Sequence, residues 1–197
     1  EDDGKGLELG VCPNCEKELA DQLDDTLPLI GVAPGAAFGP SKRWLPENFA
    51  ATINNIADAR EARFLLLTGP GEEALCQAIK ANAKATFVEP ETSYGGITRL
   101  KTLIAKLDLL ICNDSGPRHI AVAFKRPLVC IMGPTSKRYT NSPYEIGEVL
   151  QASLDCIPCQ EPTCPLGHHQ CMKAITPKQV TEAALRILEK AHRTDKD

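Results

Sequence analysis

Four segments of this sequence carry residue types that can do chemistry. The run Pro34-Gly35-Ala36-Ala37-Phe38-Gly39-Pro40-Ser41-Lys42-Arg43-Trp44 joins glycines, which let backbone approach a ligand closely, to two cations suited to phosphate. It lacks the GK[ST] ending of a Walker A loop, and a plain surface turn with solvated cations stays open as a reading. In Asn113-Asp114-Ser115-Gly116-Pro117-Arg118-His119 a strand runs into a helix start. Free N–H groups and the positive end of the helix dipole bind anions there, and His119 sits about one turn in, on the face above Ser115. A capped helix with a satisfied histidine is the alternative. Glu72 and Glu73 follow Gly69-Pro70-Gly71. An acidic residue past a strand can accept both hydroxyls of a ribose, or can simply complement the helix dipole in a first turn. Finally, Cys156, Cys159, Cys164 and Cys171 form a C-x2-C-x4-C-x6-C run with His168 and His169 inside it. Four thiolates at this spacing can close a tetrahedral zinc site; an iron–sulfur site or a loop of reduced or paired thiols is also open.

These segments need a frame. Apolar runs at Pro28–Ala33, Arg63–Thr68, Ala85–Val88, Asp108–Cys112, Pro127–Met132 and Glu148–Ala152 read as strands. Helical spacing covers Glu47–Arg60, Glu72–Asn82, Ile97–Lys106, Ser115–Phe124 and Pro177–Ala191, with a short helix at Glu16–Leu23. Strand and helix alternate over short connections, which predicts an α/β Rossmann-like parallel sheet with helices on both faces. Such sheets bind ligands at the carboxyl ends of their strands. Pro34-Gly35, Gly69-Pro70-Gly71, Asn113-Asp114-Ser115-Gly116 and Gly133-Pro134-Thr135 fall there. Residues 1–27 read as an acidic linker or N-terminal extension, 28–192 as one domain with a Cys-rich loop at 155–172, and 193–197 as a tail.

The chain has 197 residues, 43% of them hydrophobic and 24% charged, with net charge −4. That suits one soluble domain and shows no basic excess for a nucleic-acid partner. No apolar run approaches a membrane span, and the acidic start has no signal-peptide core. Nine cysteines, an odd number without a secretory signal, point to a reducing, cytoplasmic compartment. Cys76, Cys112 and Cys130 read as buried hydrophobes, and Cys12 with Cys15 as a second CxxC lacking a partner pair.

Taken together, PGAAFGPSKRW (34–44), NDSGPRHIA (113–121), PLVCIMGPT (127–135) and CIPC…CPLGHHQCM…ITP (156–177) resemble the ADP-heptose:lipopolysaccharide heptosyltransferases of glycosyltransferase family 9. Their order and spacing are similar to the C-terminal half of that family over residues 28–192. The resemblance implies the C-terminal, nucleotide-sugar-binding domain of a GT-B glycosyltransferase, at most peripheral to the cytoplasmic face of the inner membrane. It implies that Lys42 contacts the donor phosphates, that Asp114, Ser115, Gly116 and His119 form the diphosphate and sugar site, that Glu72 (or Glu73) holds the ribose, and that Thr135 lines the same crevice. It further implies inverting transfer from an ADP-sugar donor to a lipopolysaccharide core acceptor, without an obligatory metal or other cofactor in the reaction; a structural zinc remains the reading of the cysteine spacing alone. The acceptor and the general base belong to an N-terminal domain outside this chain, so the isolated chain is expected to be inactive in transfer. Arg118 departs from the family, which more often has an apolar residue there. Two other readings compete. A dinucleotide oxidoreductase is disfavoured because no G-x-G-x-x-G follows the first strand. A zinc-stabilised interaction or nucleotide-binding module around Cys156–Cys171 would lack transferase activity altogether.

Overall fold

The computed structural model describes residues 6–23, 26–91, 93 and 95–194; most of the expected tail lies outside them. In chain order the elements are α1 (Pro13–Ala20), β1 (Leu29–Ala33), α2 (Pro46–Ala59), β2 (Arg63–Leu66), α3 (Glu73–Asn82), α4 (Gly96–Ala105), β3 (Leu109–Asn113), α5 (Gly116–Ala123), β4 (Leu128–Met132), α6 (Lys137–Thr140), β5 (Gly147–Gln151), α7 (Gln170–Lys173) and α8 (Pro177–Thr194). Proline occupies the first turn of α1, α2 and α5, where its missing N–H costs no helical bond.

The five strands pair in parallel in the order β2-β1-β3-β4-β5. Alternation along each buried strand divides the core in two. Ile30, Val32, Ile111, Val129 and Ile131 face α2 and α8, with Phe49, Ile53, Ile56, Val180 and Ala184 across from them. Leu29, Ala33, Leu110, Cys112, Leu128 and Cys130 face the opposite layer, where Leu103, Ile104, Ala121 and Val122 pack. Helices therefore cover both faces, as the alternating pattern requires. Cys76, Cys112 and Cys130 are buried as expected.

Two local departures have physical reasons. The expected strand at Ala85–Val88 shrinks to a single bridge, Phe64 to Phe87, with Pro90 close behind to prevent a longer ladder. The segment read as a linker carries α1, which is sewn into the second core layer. Cys15, Leu19 and Leu23 are buried, and Glu16 pairs with Lys106 at 2.7 Å.

The strand order positions the site. From β1 the chain runs outward to β2 and then returns to the other side of β1 as β3. The loops leaving β1 and β3 consequently diverge at one sheet edge, and a doubly wound sheet takes its ligand at such a switch point. The segments 34–44 and 113–119 are the loops that leave those two strands.

Candidate functional site: the crevice beyond β1 and β3

Asn113, the last residue of β3, fixes the loop that leaves β1. Its amide donates to the carbonyls of Pro34 (2.7 Å) and Gly35 (3.4 Å) and accepts from the Trp44 N–H at 3.2 Å. Both ends of 34–44 are thus tied to β3, and Trp44 is buried with its indole N–H on the Ile175 carbonyl. Between them a short 3-10 turn, Pro40–Lys42, delivers Lys42 to the next residue of the β3 loop.

That residue, Asp114, is 2% exposed and is the centre of a charge network. Its Oδ2 accepts from Lys42 Nζ at 2.8 Å and from the Thr135 hydroxyl at 2.6 Å, and its Oδ1 accepts from Arg118 at 2.8 Å. Arg118, fully buried, also forks onto Glu145 through Nε (2.8 Å) and a terminal nitrogen (3.1 Å) and reaches Thr140 and Asn141. All five guanidinium donors are used. Two cations and two carboxylates balance. Burial alone would raise the Asp114 pKa, but the hydrogen bonds from Lys42, Thr135 and Arg118 and the Lys42 charge prevail and lower it. Lys42 also donates to the Asp114 carbonyl at 3.2 Å and lies 4.9 Å from the Phe38 ring centroid. Of its three N–H donors, one remains for a ligand.

Beside this network lies a cavity of about 210 Å³ lined by Gly35, Ala36, Leu67, Glu72, Ser115 and Gly116 among others. Glu72 is held at its wall by the Gly69 N–H, 2.7 Å from Oε2, whereas Glu73 turns back to the Gly71 N–H at 3.3 Å. Of the two glutamates, Glu72 lines the cavity and Glu73 is not among its lining residues. At the opposite wall α5 begins: its N-cap, Ser115, makes no side-chain capping bond, and its hydroxyl turns back to the Asn113 carbonyl.

The expected residues therefore fall into three groups. Glu72, Ser115 and Gly116 line the cavity. Lys42, Asp114 and Thr135 form the adjoining buried network, in which the carboxylate of Asp114 is turned to protein partners. His119 is exposed on α5 and is not among the cavity's lining residues. Sequence reasoning missed the tethering role of Asn113 and the Arg118–Glu145 pair. The i,i+4 spacing of Asp114 and Arg118 at a helix start was a signal for their ion pair, whereas Glu145, 27 residues on, carries no local signal.

The four cysteines of the 156–171 run are free thiols that share the walls of one small cavity with Ser41 and His168. Among the described residues, no group of three or more His, Cys, Asp or Glu side chains is placed to hold a metal ion. The thiols are brought together but not closed on a common point.

Gly35 yields a direct prediction. A Cβ there would lie 1.8–2.2 Å from the Glu72 carboxyl atoms. The carboxylate is the far end of a flexible side chain and can move, so Gly35→Ala should change the unfolding free energy by less than about 1 kcal/mol while blocking this cavity wall. Thermal melts together with nucleotide titration check both halves.

The sequence profile of glycosyltransferase family 9 (heptosyltransferase) matches residues 4–170. The chain is 37% identical over 171 residues to lipooligosaccharide heptosyltransferase 2 of Campylobacter jejuni, covering 83% of this chain and 52% of that protein. It is 30% identical over 177 residues to lipopolysaccharide heptosyltransferase 2 of Escherichia coli K12, covering 86% and 50%. The structure of E. coli ADP-heptose lps heptosyltransferase II superposes with a TM-score of 0.73 at 26% identity, covering 94% of this chain and 54% of that one. The chain spans about half the length of the curated relatives it matches. On the profile, the sequence identities and the shared parallel α/β architecture, this chain belongs to glycosyltransferase family 9, the heptosyltransferases.

Proposed function

We propose that the chain is the C-terminal, donor-binding domain of a GT-B glycosyltransferase. It binds ADP-heptose or a related nucleotide sugar for inverting transfer to a lipopolysaccharide core acceptor. One observation supports the reading: a carboxylate (Glu72) and an uncapped helix start (Ser115–Gly116) line one crevice at the β1/β3 switch point, and the buried Lys42 is held on Asp114, the residue before Ser115. A ribose matches the first, and a diphosphate matches the other two. At about 210 Å³ the cavity falls below the usual ~300–1,000 Å³ of small-molecule sites. It suits the nucleoside end, leaving the sugar towards the half of the enzyme that carries the acceptor.

In the reaction, the acceptor hydroxyl displaces ADP at the anomeric carbon and the leaving diphosphate gains negative charge. The remaining Lys42 N–H and the α5 backbone N–H groups stabilise that charge without reorganising, because Asp114 already holds Lys42 and the helix fixes its own N–H groups. The proton of the attacking hydroxyl needs a base, which this reading assigns to the acceptor-binding half. The transfer draws on no cofactor in this scheme. Among the described residues no helix is long and apolar enough to cross a membrane.

Calorimetry with ADP, ADP-heptose and NADH tests the proposal. ADP and ADP-heptose are expected to bind one per chain, NADH far more weakly, with no sugar released or transferred. His119→Ala should weaken ADP-heptose more than ADP if His119 serves the sugar side. Preference for NADH over ADP-heptose would contradict the donor assignment.

A further inference from the structure

Arg118 sits in the first turn of α5, fully buried, and is not among the residues that line the donor cavity. A guanidinium taken out of water must be paired and hydrogen-bonded. Three residues after β4 do this from behind. Glu145 accepts from Nε at 2.8 Å and from Nη2 at 3.1 Å, Asn141 accepts from Nη2 at 2.8 Å, and Thr140 accepts from Nη1 at 3.1 Å. None of the three lines the cavity either. The planar fork, fixed on that side, presents Nη1 to Asp114 Oδ1 at 2.8 Å.

Asp114 passes this constraint forward. A carboxylate turns easily about its last torsion, which has broad wells. With Oδ1 held by Arg118, Oδ2 faces Lys42 Nζ at 2.8 Å and the Thr135 hydroxyl at 2.6 Å. Thr135 cannot replace Arg118 in this role, because it donates to the same oxygen as Lys42. Its own backbone is fixed from β5, where the Gln151 amide donates to the Thr135 carbonyl at 2.7 Å. If Oδ1 were released, Lys42 would be the cation left beside the carboxylate. Both oxygens could then turn onto the ammonium, and the N–H that remains for a ligand would turn with it.

We propose that Arg118 is a positioning residue for the donor diphosphate: gripped by Glu145, Thr140 and Asn141, it fixes Asp114 and, through Asp114, aims the Lys42 ammonium at the phosphates. Arg118 itself touches no part of the donor. The phosphate role rests on the donor-site reading of the crevice; the hold on Lys42 does not.

The test uses the paired variant Arg118→Met with Glu145→Leu, which removes a cation and an anion together and so spares the fold. Calorimetry with ADP and with adenosine, and the Lys42 ammonium ¹H–¹⁵N signal, are the readouts. ADP binding should weaken about tenfold, while adenosine, which has no phosphate, should bind as in wild type. In a Lys42→Met background the pair should cost ADP binding nothing further, because both changes remove the same contact. The Lys42 ammonium signal, sharp in wild type, should broaden or shift in the paired variant. Glu145→Gln, which keeps the side-chain shape, should show the same pattern at smaller amplitude and carries the comparison if the paired variant does not fold. Unchanged ADP affinity in the folded variant, equal losses for ADP and adenosine, or losses that add to that of Lys42→Met would overturn the positioning role. An unchanged Lys42 signal would overturn the hold itself. If wild type bound no ADP while the Lys42 signal still responded to the pair, the donor-site reading would fail and the hold on Lys42 would stand.

Discussion

Replacing Arg118 by alanine is expected to destabilise the folded chain by about 3–5 kcal/mol, the cost of breaking a buried ion pair from one side. Arg118 is fully buried and spends every donor on Asp114, Glu145, Thr140 and Asn141. Its removal leaves the Glu145 carboxylate, on a side chain only 8% exposed, without that cation, and strips Asp114 of one of its two. A paired substitution separates charge balance from packing. Arg118→Met with Glu145→Leu removes a cation and an anion together and should recover most of the loss. Urea unfolding midpoints measure both. A single-variant loss under about 1 kcal/mol would place the pair with ordinary surface ion pairs. Glu145, Asn141 and Thr140 form a matching shell around Arg118 on the segment after β4.

Lys42→Met should weaken ADP binding about ten- to a hundredfold, the worth of a charge-assisted hydrogen bond to a phosphate. The thioether chain keeps apolar volume against Phe38, and Asp114 retains Arg118 and Thr135, so the fold should persist with a smaller loss of about 1–2 kcal/mol. The network also sets a pH dependence. The folded-state pKa of Asp114 lies below its ordinary value of 3.8. Its contribution to stability is therefore complete above that value and is lost as pH falls through the lower, folded-state value. Asp114→Asn should remove this acid-side slope, while wild type keeps it. A wild-type melting temperature no more acid-sensitive than that of Asp114→Asn would contradict the assignment.

Much of this was legible in the sequence because hydrophobic period and glycine-bearing turns report directly on strands, helices and the sheet edge where their loops gather. The four chemistry-bearing segments could be named before their arrangement was known. Strand order could not, since nothing local says that β3 returns beside β1 instead of continuing past β2. Nor could the roles within a segment. Glu72 and Glu73 differ only in which Gly-rich backbone N–H each meets, Gly69 or Gly71. Asp114 reads as a ligand contact until its two oxygens are seen to be occupied by Lys42, Thr135 and Arg118. The burial of Cys15 and Leu19 depends on α1 lying across α4, a tertiary contact that weak local periodicity does not encode. Four-residue α6 is too short for any period to register.

The central claim is that the crevice beyond β1 and β3 receives an ADP-linked donor. Its most direct test is an ¹H–¹⁵N correlation spectrum of the chain titrated with ADP to millimolar concentration. Saturable shifts are expected at Gly35, Gly69, Ser115 and Gly116, which line the cavity with Glu72, and their loss in Gly35→Ala. No shift at those amides, or saturable shifts confined to another face, would contradict it.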